Sequence, residues 1–235
     1  MAAQLLELVP DGHEVVRRAE GVELTVYVDE TALGLLRDRL AGLRVVRVAV
    51  GWEDDWKRFH PPAAVGPLWV GPPWQRAPGN SIPVVIDPGR AFGTGAHATT
   101  RLCLELLLEL ERGSVLDVGC GSGVLAVAAA KLGHSPVTAM DADEAAVAAT
   151  LQNADANAVR LRALRADALT AGLPAADIAL ANVDLAVVEA LASRVDCRWL
   201  VTSGYFGSER PSLPGFARVE RRTRERWAAD LHVRE

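Results

Sequence analysis

The residues with the clearest chemical potential form one short run, Val115-Leu116-Asp117-Val118-Gly119-Cys120-Gly121-Ser122-Gly123. It reads as a buried strand entering three glycines at alternate positions, with an apolar helix, Val124 to Leu132, behind them. Glycine removes the side chains that would hold a ligand off the backbone, and it permits positive φ in a sharp turn. The first amides of the following helix lack intrahelical partners. They face the strand's carboxyl end, where an open parallel sheet keeps its ligand crevice. Twenty-two residues after Gly119, the next strand (Pro136 to Met140) ends in Asp141, placed to accept hydrogen bonds from a ribose.

A dinucleotide site also uses glycines and a later acid, but its fingerprint is G-x-G-x-x-G, with a pyrophosphate on the helix N-terminus. Here the spacing is G-x-G-x-G, with Asp117 just ahead. A carboxylate there repels a pyrophosphate and suits a ligand carrying an ammonium and a sulfonium. A glycine turn without a ligand is the remaining alternative.

The elements that must hold this turn follow an α/β pattern from Ser81 onward. The expected order is strand Val84–Ile86, helix Thr99–Leu110, strand Val115–Val118, helix Val124–Leu132, strand Val137–Met140 and helix Glu144–Ala156. Strands near Leu161–Ala166 and at Ile178–Ala181 follow, then helix Leu185–Ser193 and strand Trp199–Ser203. Ala217–Arg222 and Arg226–Val233 look like a closing antiparallel pair. Such alternation implies a mainly parallel sheet covered on both faces.

Residues 1–50 read as a small α+β unit. It has strands at Leu5–Val9, Val22–Val28 and Arg44–Val50, and a helix capped by Asp29 that runs to about Leu40. Residues 51–80 read as a linker rich in proline, glycine and tryptophan, and 81–235 as the ligand-binding domain. Four of the six tryptophans, Trp52, Trp56, Trp69 and Trp74, fall in the linker. They either staple two domains together or line a substrate groove, since Trp faces attract ammonium and methylammonium groups. Glu53, Asp54 and Asp55 either hold a lysine-bearing segment or form a solvated turn.

At 235 residues and 50% hydrophobic, the chain can bury a sizeable core. A net charge of −5 argues against a nucleic-acid partner and leaves room for a basic protein substrate. Cys103, Cys120 and Cys197 are widely separated and without C-x-x-C spacing, so reduced thiols are expected, with no disulfide frame and no metal site. No signal peptide is evident, nor the roughly 18 continuous apolar residues that span a bilayer. The expectation is a soluble cytoplasmic protein.

The glycine pattern resembles motif I of the class I S-adenosylmethionine-dependent methyltransferases. Upstream, residues 87–100 run Asp-Pro-Gly-Arg-Ala-Phe-Gly-Thr-Gly-Ala-His-Ala-Thr-Thr. At this distance before motif I, the block is similar to the signature loop of the PrmA-type lysine methyltransferases of ribosomal protein L11. The stretch Trp56 to Phe59, Pro72-Pro73-Trp74, Asp141-Ala142-Asp143 leading to Asn153 and Asn157, and Ala181-Asn182 also resemble that family. The similarity covers about residues 50–204.

The resemblance implies a Rossmann-like methyltransferase sheet, mainly parallel with an antiparallel terminal strand, beside the small N-terminal α+β domain. It implies S-adenosyl-L-methionine as cofactor, with contacts at Thr100, Gly119, Asp141 and Asn182. Gly121 and Asp117 belong to the same turn. Phe92 and Gly93 are read as a flexible lid, and Asp167 as either an adenine amine contact or a helix N-cap. Asn182 is expected to orient an incoming amine, guided by the loop from Phe92 to His97. His97 is either a general base or, the preferred reading, a hydrogen-bonding strut. The implied activity is N-methylation of lysine amines of L11, with N-terminal amines as a further acceptor class. Another protein, a small amine, or non-catalytic cofactor binding are the alternatives.

Methyltransferases acting on planar amides or base amino groups usually carry Asn/Asp-Pro-Pro-Tyr at the end of this strand. Asn182-Val183-Asp184-Leu185 stands here and points to an aliphatic amine. Three features depart from the family. The N-terminal unit is short, Asp184 places an acid near the amine site, and residues 206–214 form a proline-containing loop where a helix is usual.

Overall fold

The computed structural model of the chain describes residues 14–18, 21–25, 33–34, 36–37, 44–45, 61–87 and 95–235. The chain divides into two compact units, Met1–Glu53 and Asp54–Glu235. In the first, strands β1 (Glu14–Arg18) and β2 (Gly21–Thr25) pair antiparallel as a hairpin, residues 33–34 and 36–37 are helical, and Leu36 is buried. Residues 44–45 are not strand. The expected strand at Leu5–Val9, the Asp29 cap and the remainder of Arg44–Val50 lie outside the described residues. So do Trp52, Trp56, Phe59, and the acidic run Glu53 to Asp55.

The second unit begins, in its described part, with β3 (Ala63–Val65), β4 (Leu68–Gly71) and β5 (Ile82–Val85). They form a sheet of their own, β3 antiparallel to β4 and β4 parallel to β5. Two expectations change here. The strand foreseen at Val84–Ile86 lies instead at Ile82–Val85 and is not part of the main sheet. The stretch read as linker, residues 51–80, carries two strands over its described part, and its Val65, Leu68 and Val70 are core residues, joined there by Val84 and Ile86 of the domain that follows. Trp69 is buried too, its ring lying against Gly71, where an added Cβ would meet it at 2.5 Å. Burial of these side chains in one continuous core fixes the segment, and composition alone does not register it.

The main elements then follow: α1 (Ala98–Leu107), β6 (Val115–Val118), α2 (Val124–Lys131), β7 (Val137–Asp141), α3 (Glu144–Ala156), β8 (Arg162–Arg165), β9 (Ile178–Asn182), α4 (Leu185–Leu191), β10 (Trp199–Phe206), β11 (Phe216–Arg224) and β12 (Trp227–Arg234). Seven strands pair in the order β11-β12-β10-β9-β6-β7-β8. The pairs from β8 through β10 are all parallel, and β12 runs against both of its neighbours. The order reverses between β6 and β9. That reversal opens the crevice beyond their carboxyl ends.

Central strands of such a sheet are buried on both sides and read as near-continuous apolar runs. Val115, Ile178, Leu180 and Val201 face a core shared with α1 and α2, while Leu116, Val118, Ala179 and Ala181 face another shared with α4. Asp117 is the polar exception in β6, buried on the α2 side with its carboxylate accepting the Ala126 amide at 3.0 Å. At the opposite end of the strands, the Asp177 carboxylate accepts the Ser114 amide and hydroxyl, both at 2.7 Å, which holds the Asp177 carboxyl below the usual range.

α3 buries Ala146, Thr150, Asn153 and Ala154 on one stripe, continued by Asn157 beyond its end. Half of that stripe is polar for a reason. The Asn157 amide accepts from Val85 N–H at 2.8 Å and donates to the Val85 and Asn153 carbonyls. Asn153 accepts from Asp87 N–H at 3.0 Å and donates to the Ser122 carbonyl at 2.8 Å. The two asparagines therefore fasten the root of the glycine-rich segment that follows Asp87 to the motif I turn. Asn157→Ala leaves the Val85 amide and carbonyl without these partners. It is expected to cost about 2–4 kcal/mol, read as a lower urea midpoint at unchanged slope.

Candidate active site

The glycine turn between β6 and α2 is built around positive φ. Gly119, Gly121 and Gly123 have φ of 71°, 53° and 78°. Gly123 is the N-cap of α2 and has no side chain to cap with, so Asp117 supplies the carboxylate from below. The turn's amides are already committed. Gly119 and Cys120 donate to the Met140 carbonyl at 2.9 and 3.1 Å, Gly121 to Asp141 Oδ2 at 3.0 Å, and Gly123 to the Cys120 carbonyl at 2.7 Å.

Asp141 ends β7 at the rim, partly exposed. Its Oδ1 accepts the Asp143 amide at 3.0 Å, so each carboxylate oxygen holds one backbone N–H. One lone pair per oxygen remains toward the crevice, the acceptor set that two adjacent ribose hydroxyls require. Across the switch point, Asn182 ends β9 and donates from Nδ2 to Thr100 Oγ1 at 3.5 Å, a long bond that joins β9 to the first turn of α1. Thr100 is buried and does not cap that helix. His97 is the N-cap: its Nδ1 lies 2.8 Å from the Thr99 hydroxyl and accepts the Thr99 amide at 3.4 Å. Nδ1 is thus engaged in holding the start of α1.

Asp117, expected from the sequence among the cofactor-binding residues, is built into the turn itself. It is 1% exposed and lies beneath the turn, because its carboxylate replaces the cap that Gly123 cannot provide. Burial pushes its pKa up to about 7, with the Ala126 amide opposing the rise and Asp141 adding to it. A carboxyl raised in the folded state contributes stability below its unfolded pKa and loses it as pH climbs toward the folded value. Asp117→Asn is therefore expected to remove a fall in melting temperature between about pH 4 and 7. Scanning calorimetry across that range reads the difference.

Asp167, after β8, is exposed, and its Oδ1 accepts the Leu169 amide at 2.9 Å within a turn; no helix follows it before β9, so the helix N-cap expected as one of its two roles is absent. Phe92 and Gly93 lie outside the described residues. The three cysteines are free and buried. Burial pushes Cys120 up to about 12 and Cys197 to about 11, so neither supplies a thiolate. Among the described residues, no group of histidine, cysteine, aspartate or glutamate side chains is arranged to hold a metal. No described helix is long and apolar enough to cross a membrane.

Sequence reasoning missed two things at this site. Val183 sits directly over Gly119, where a Cβ would lie 2.4 Å from Val183 Cγ1, and its backbone lies against Gly204. Asn153 and Asn157 were singled out without their role, although their i, i+4 spacing on an otherwise apolar helix face was the available signal.

The decisive feature is what the glycine turn lacks. A pyrophosphate needs unpaired amides at the helix N-terminus. In the turn before α2 the amides of Gly119, Cys120, Gly121 and Gly123 are spent on the protein's own acceptors, and in the first turn of α2 the Ala126 amide is spent on Asp117. Comparison with known proteins agrees. The family model described as ribosomal protein L11 methyltransferase (PrmA) matches residues 27–208. The chain belongs to that family.

A ribosomal protein L11 methyltransferase of Thermoanaerobacter pseudethanolicus is 33% identical over 193 residues, covering 74% of this chain and 62% of that protein. One from Haemophilus influenzae is 45% identical over 138 residues, covering 56% and 46%. The chain thus spans about half to three-fifths of the length of these curated relatives. The crystal structure of a ribosomal protein L11 methylase from Lactobacillus delbrueckii subsp. bulgaricus aligns with a TM-score of 0.63 at 26% identity, covering 72% of this chain and 96% of that one.

The cofactor implied by this family and fold is S-adenosyl-L-methionine. The residues present fit it. Asp141 offers the ribose acceptors, Gly119 leaves the turn without a side chain, and the Asp141 carboxylate at the turn disfavours a polyanion.

Proposed function

We propose that this chain is an S-adenosylmethionine-dependent N-methyltransferase acting on lysine amines of ribosomal protein L11, with N-terminal amines as a further acceptor. The observation that carries the reading is the Asn182–Thr100 pair beside Asp141 and the glycine turn. Asn182 spends its Nδ2 on Thr100, which leaves Oδ1 free to accept an N–H from an incoming amine. A cytoplasmic place of action accords with a ribosomal-protein substrate, and a net charge of −5 suits a basic partner.

When bound, S-adenosylmethionine supplies a methyl group already activated by a cationic sulfur. The work left to the protein is alignment and exclusion of water. A lysine ε-amine has a pKa near ~10.4 and must shed its proton before attacking. Desolvation beside a positive charge lowers that value, so no dedicated base is required. Asn182 then holds the neutral amine with its lone pair directed inward. His97 fixes the start of α1, and through it Thr100, as a positioning residue. Asp141 and Asp167 are assigned to ribose and adenine, and Phe92 and Gly93 to the covering loop.

Incubation with labelled cofactor and ribosomal protein L11, followed by mass spectrometry, tests the reading. Label on L11 lysines is expected. Label confined to another protein or a small amine would redirect the substrate, and cofactor binding without any turnover would reduce the chain to a binding module. Asn182→Ala is expected to lower kcat about a hundredfold, with a much smaller loss of cofactor affinity than Asp141→Ala. Steady-state kinetics alongside calorimetric titration measures that split.

A further inference from the structure

At the carboxyl rim of the sheet, Phe206 ends β10 and pairs with Trp227, the first residue of β12. Their rings lie 4.9 Å apart, tilted by 34°, and Phe206 is 40% exposed. On the other side, the His97 ring meets Trp227 edge-on at 5.1 Å. His97 caps the helix whose Thr100 receives Asn182, and Ser203 of β10 is the register partner of Asn182. The aromatic pair therefore stands about 10 Å along β10 from Ser203, the residue beside Asn182, on the same rim.

This face already holds a cation. The Arg226 guanidinium lies 5.0 Å from the Phe206 ring centre and 5.6 Å from that of Trp227. Its neighbours on the hairpin are ion-paired: Arg222 with Glu109 and Glu220, and Arg224 with Glu105. Arg226 has no such carboxylate partner among the described residues and is exposed, so the two rings are its recorded side-chain contacts. An exposed cation–π contact is weak and exchangeable, and a second cation can take the place of the first.

We propose that the Phe206–Trp227 face is an entry subsite for a cationic side chain of the acceptor, and that Arg226 is its resident occupant, displaced as the acceptor arrives. The inference rests on the lysine-methylation reading and names a part of the substrate's path. Trp227 is brought to this rim by antiparallel pairing of β12 with β10.

Kinetics with ribosomal protein L11 as the varied substrate tests it. Arg226→Ala is expected to lower the acceptor KM about two- to fivefold, and Arg226→Lys to change it little. Trp227→Ala is expected to raise that KM and Trp227→Phe to restore it, with the calorimetric affinity for S-adenosylmethionine unmoved throughout. An acceptor KM unchanged or raised in Arg226→Ala overturns the proposal.

A second measurement needs no turnover. In titrations with n-butylammonium chloride against sodium chloride at equal ionic strength, the Trp227 indole N–H resonance, assigned by its loss in Trp227→Phe, should shift further in Arg226→Ala than in the unaltered chain. Equal shifts overturn the proposal. If L11 is not methylated but the titration behaves as expected, the lysine-methylation reading fails and the cation subsite stands.

Discussion

Asp141→Ala is expected to weaken S-adenosylmethionine binding about a hundredfold or more, measured by isothermal titration calorimetry. A hydrogen bond to a charged group contributes about 1.5–3 kcal/mol, and two ribose hydroxyls are assigned to this carboxylate. The substitution also strips the Gly121 and Asp143 amides of their acceptor, so the turn loses its brace along with its ligand contact. Asp141→Asn separates the two effects. Its remaining oxygen can brace one amide, and its affinity should fall between those of the alanine variant and the original. Binding unchanged in Asp141→Ala would remove the site assignment altogether.

The second large effect is expected from Gly204→Ala. Gly204 has φ of 103°, a conformation a side chain resists, and an added Cβ would lie 2.1 Å from the Val183 carbonyl oxygen and 2.7 Å from its carbon. Backbone cannot swing aside as a flexible side-chain tip does. The segment after Asn182 must move, and Val183 closes over Gly119, so both Asn182, proposed to orient the amine, and the glycine turn are displaced. A stability loss of about 3 kcal/mol or more is expected, with a fall in kcat of about a hundredfold. Gly207→Ala on the same rim is the control: its Cβ would find nothing closer than 3.6 Å. Denaturant midpoints for both variants, with kcat for each, decide the matter. Equal behaviour of the two would show that the contact between Gly204 and Val183 carries no strain.

Both effects turn on close approach of segments distant in sequence, which is also where legibility divides. The α/β alternation from α1 onward could be read in the sequence because each element carries its own period and punctuation. The apolar β6 and β9 runs, the helix at Glu144–Ala156, and the closing hairpin show this. The glycine spacing with Asp141 and Asn182 was legible because a nucleoside-bearing cofactor demands a bare turn and an acceptor at fixed chain separations.

The three-stranded sheet at residues 63–85 was not legible. Its short, proline-flanked strands look like linker until the core residues that cover them are known.

The sequence by itself determined the nature of the pocket: glycines at alternate positions and a later acid need no distant partner to be recognised, because their spacing along the chain is the geometry. Only the tertiary structure decided which polar groups face the crevice. Asp117 turned beneath the glycine turn to cap α2, the asparagines of α3 reached the root of the glycine-rich segment, and Trp227 came beside His97. Those outcomes depend on which unpaired backbone group or ring each side chain meets after the sheet has closed. That meeting is set by strand order and register, which the local sequence pattern does not encode.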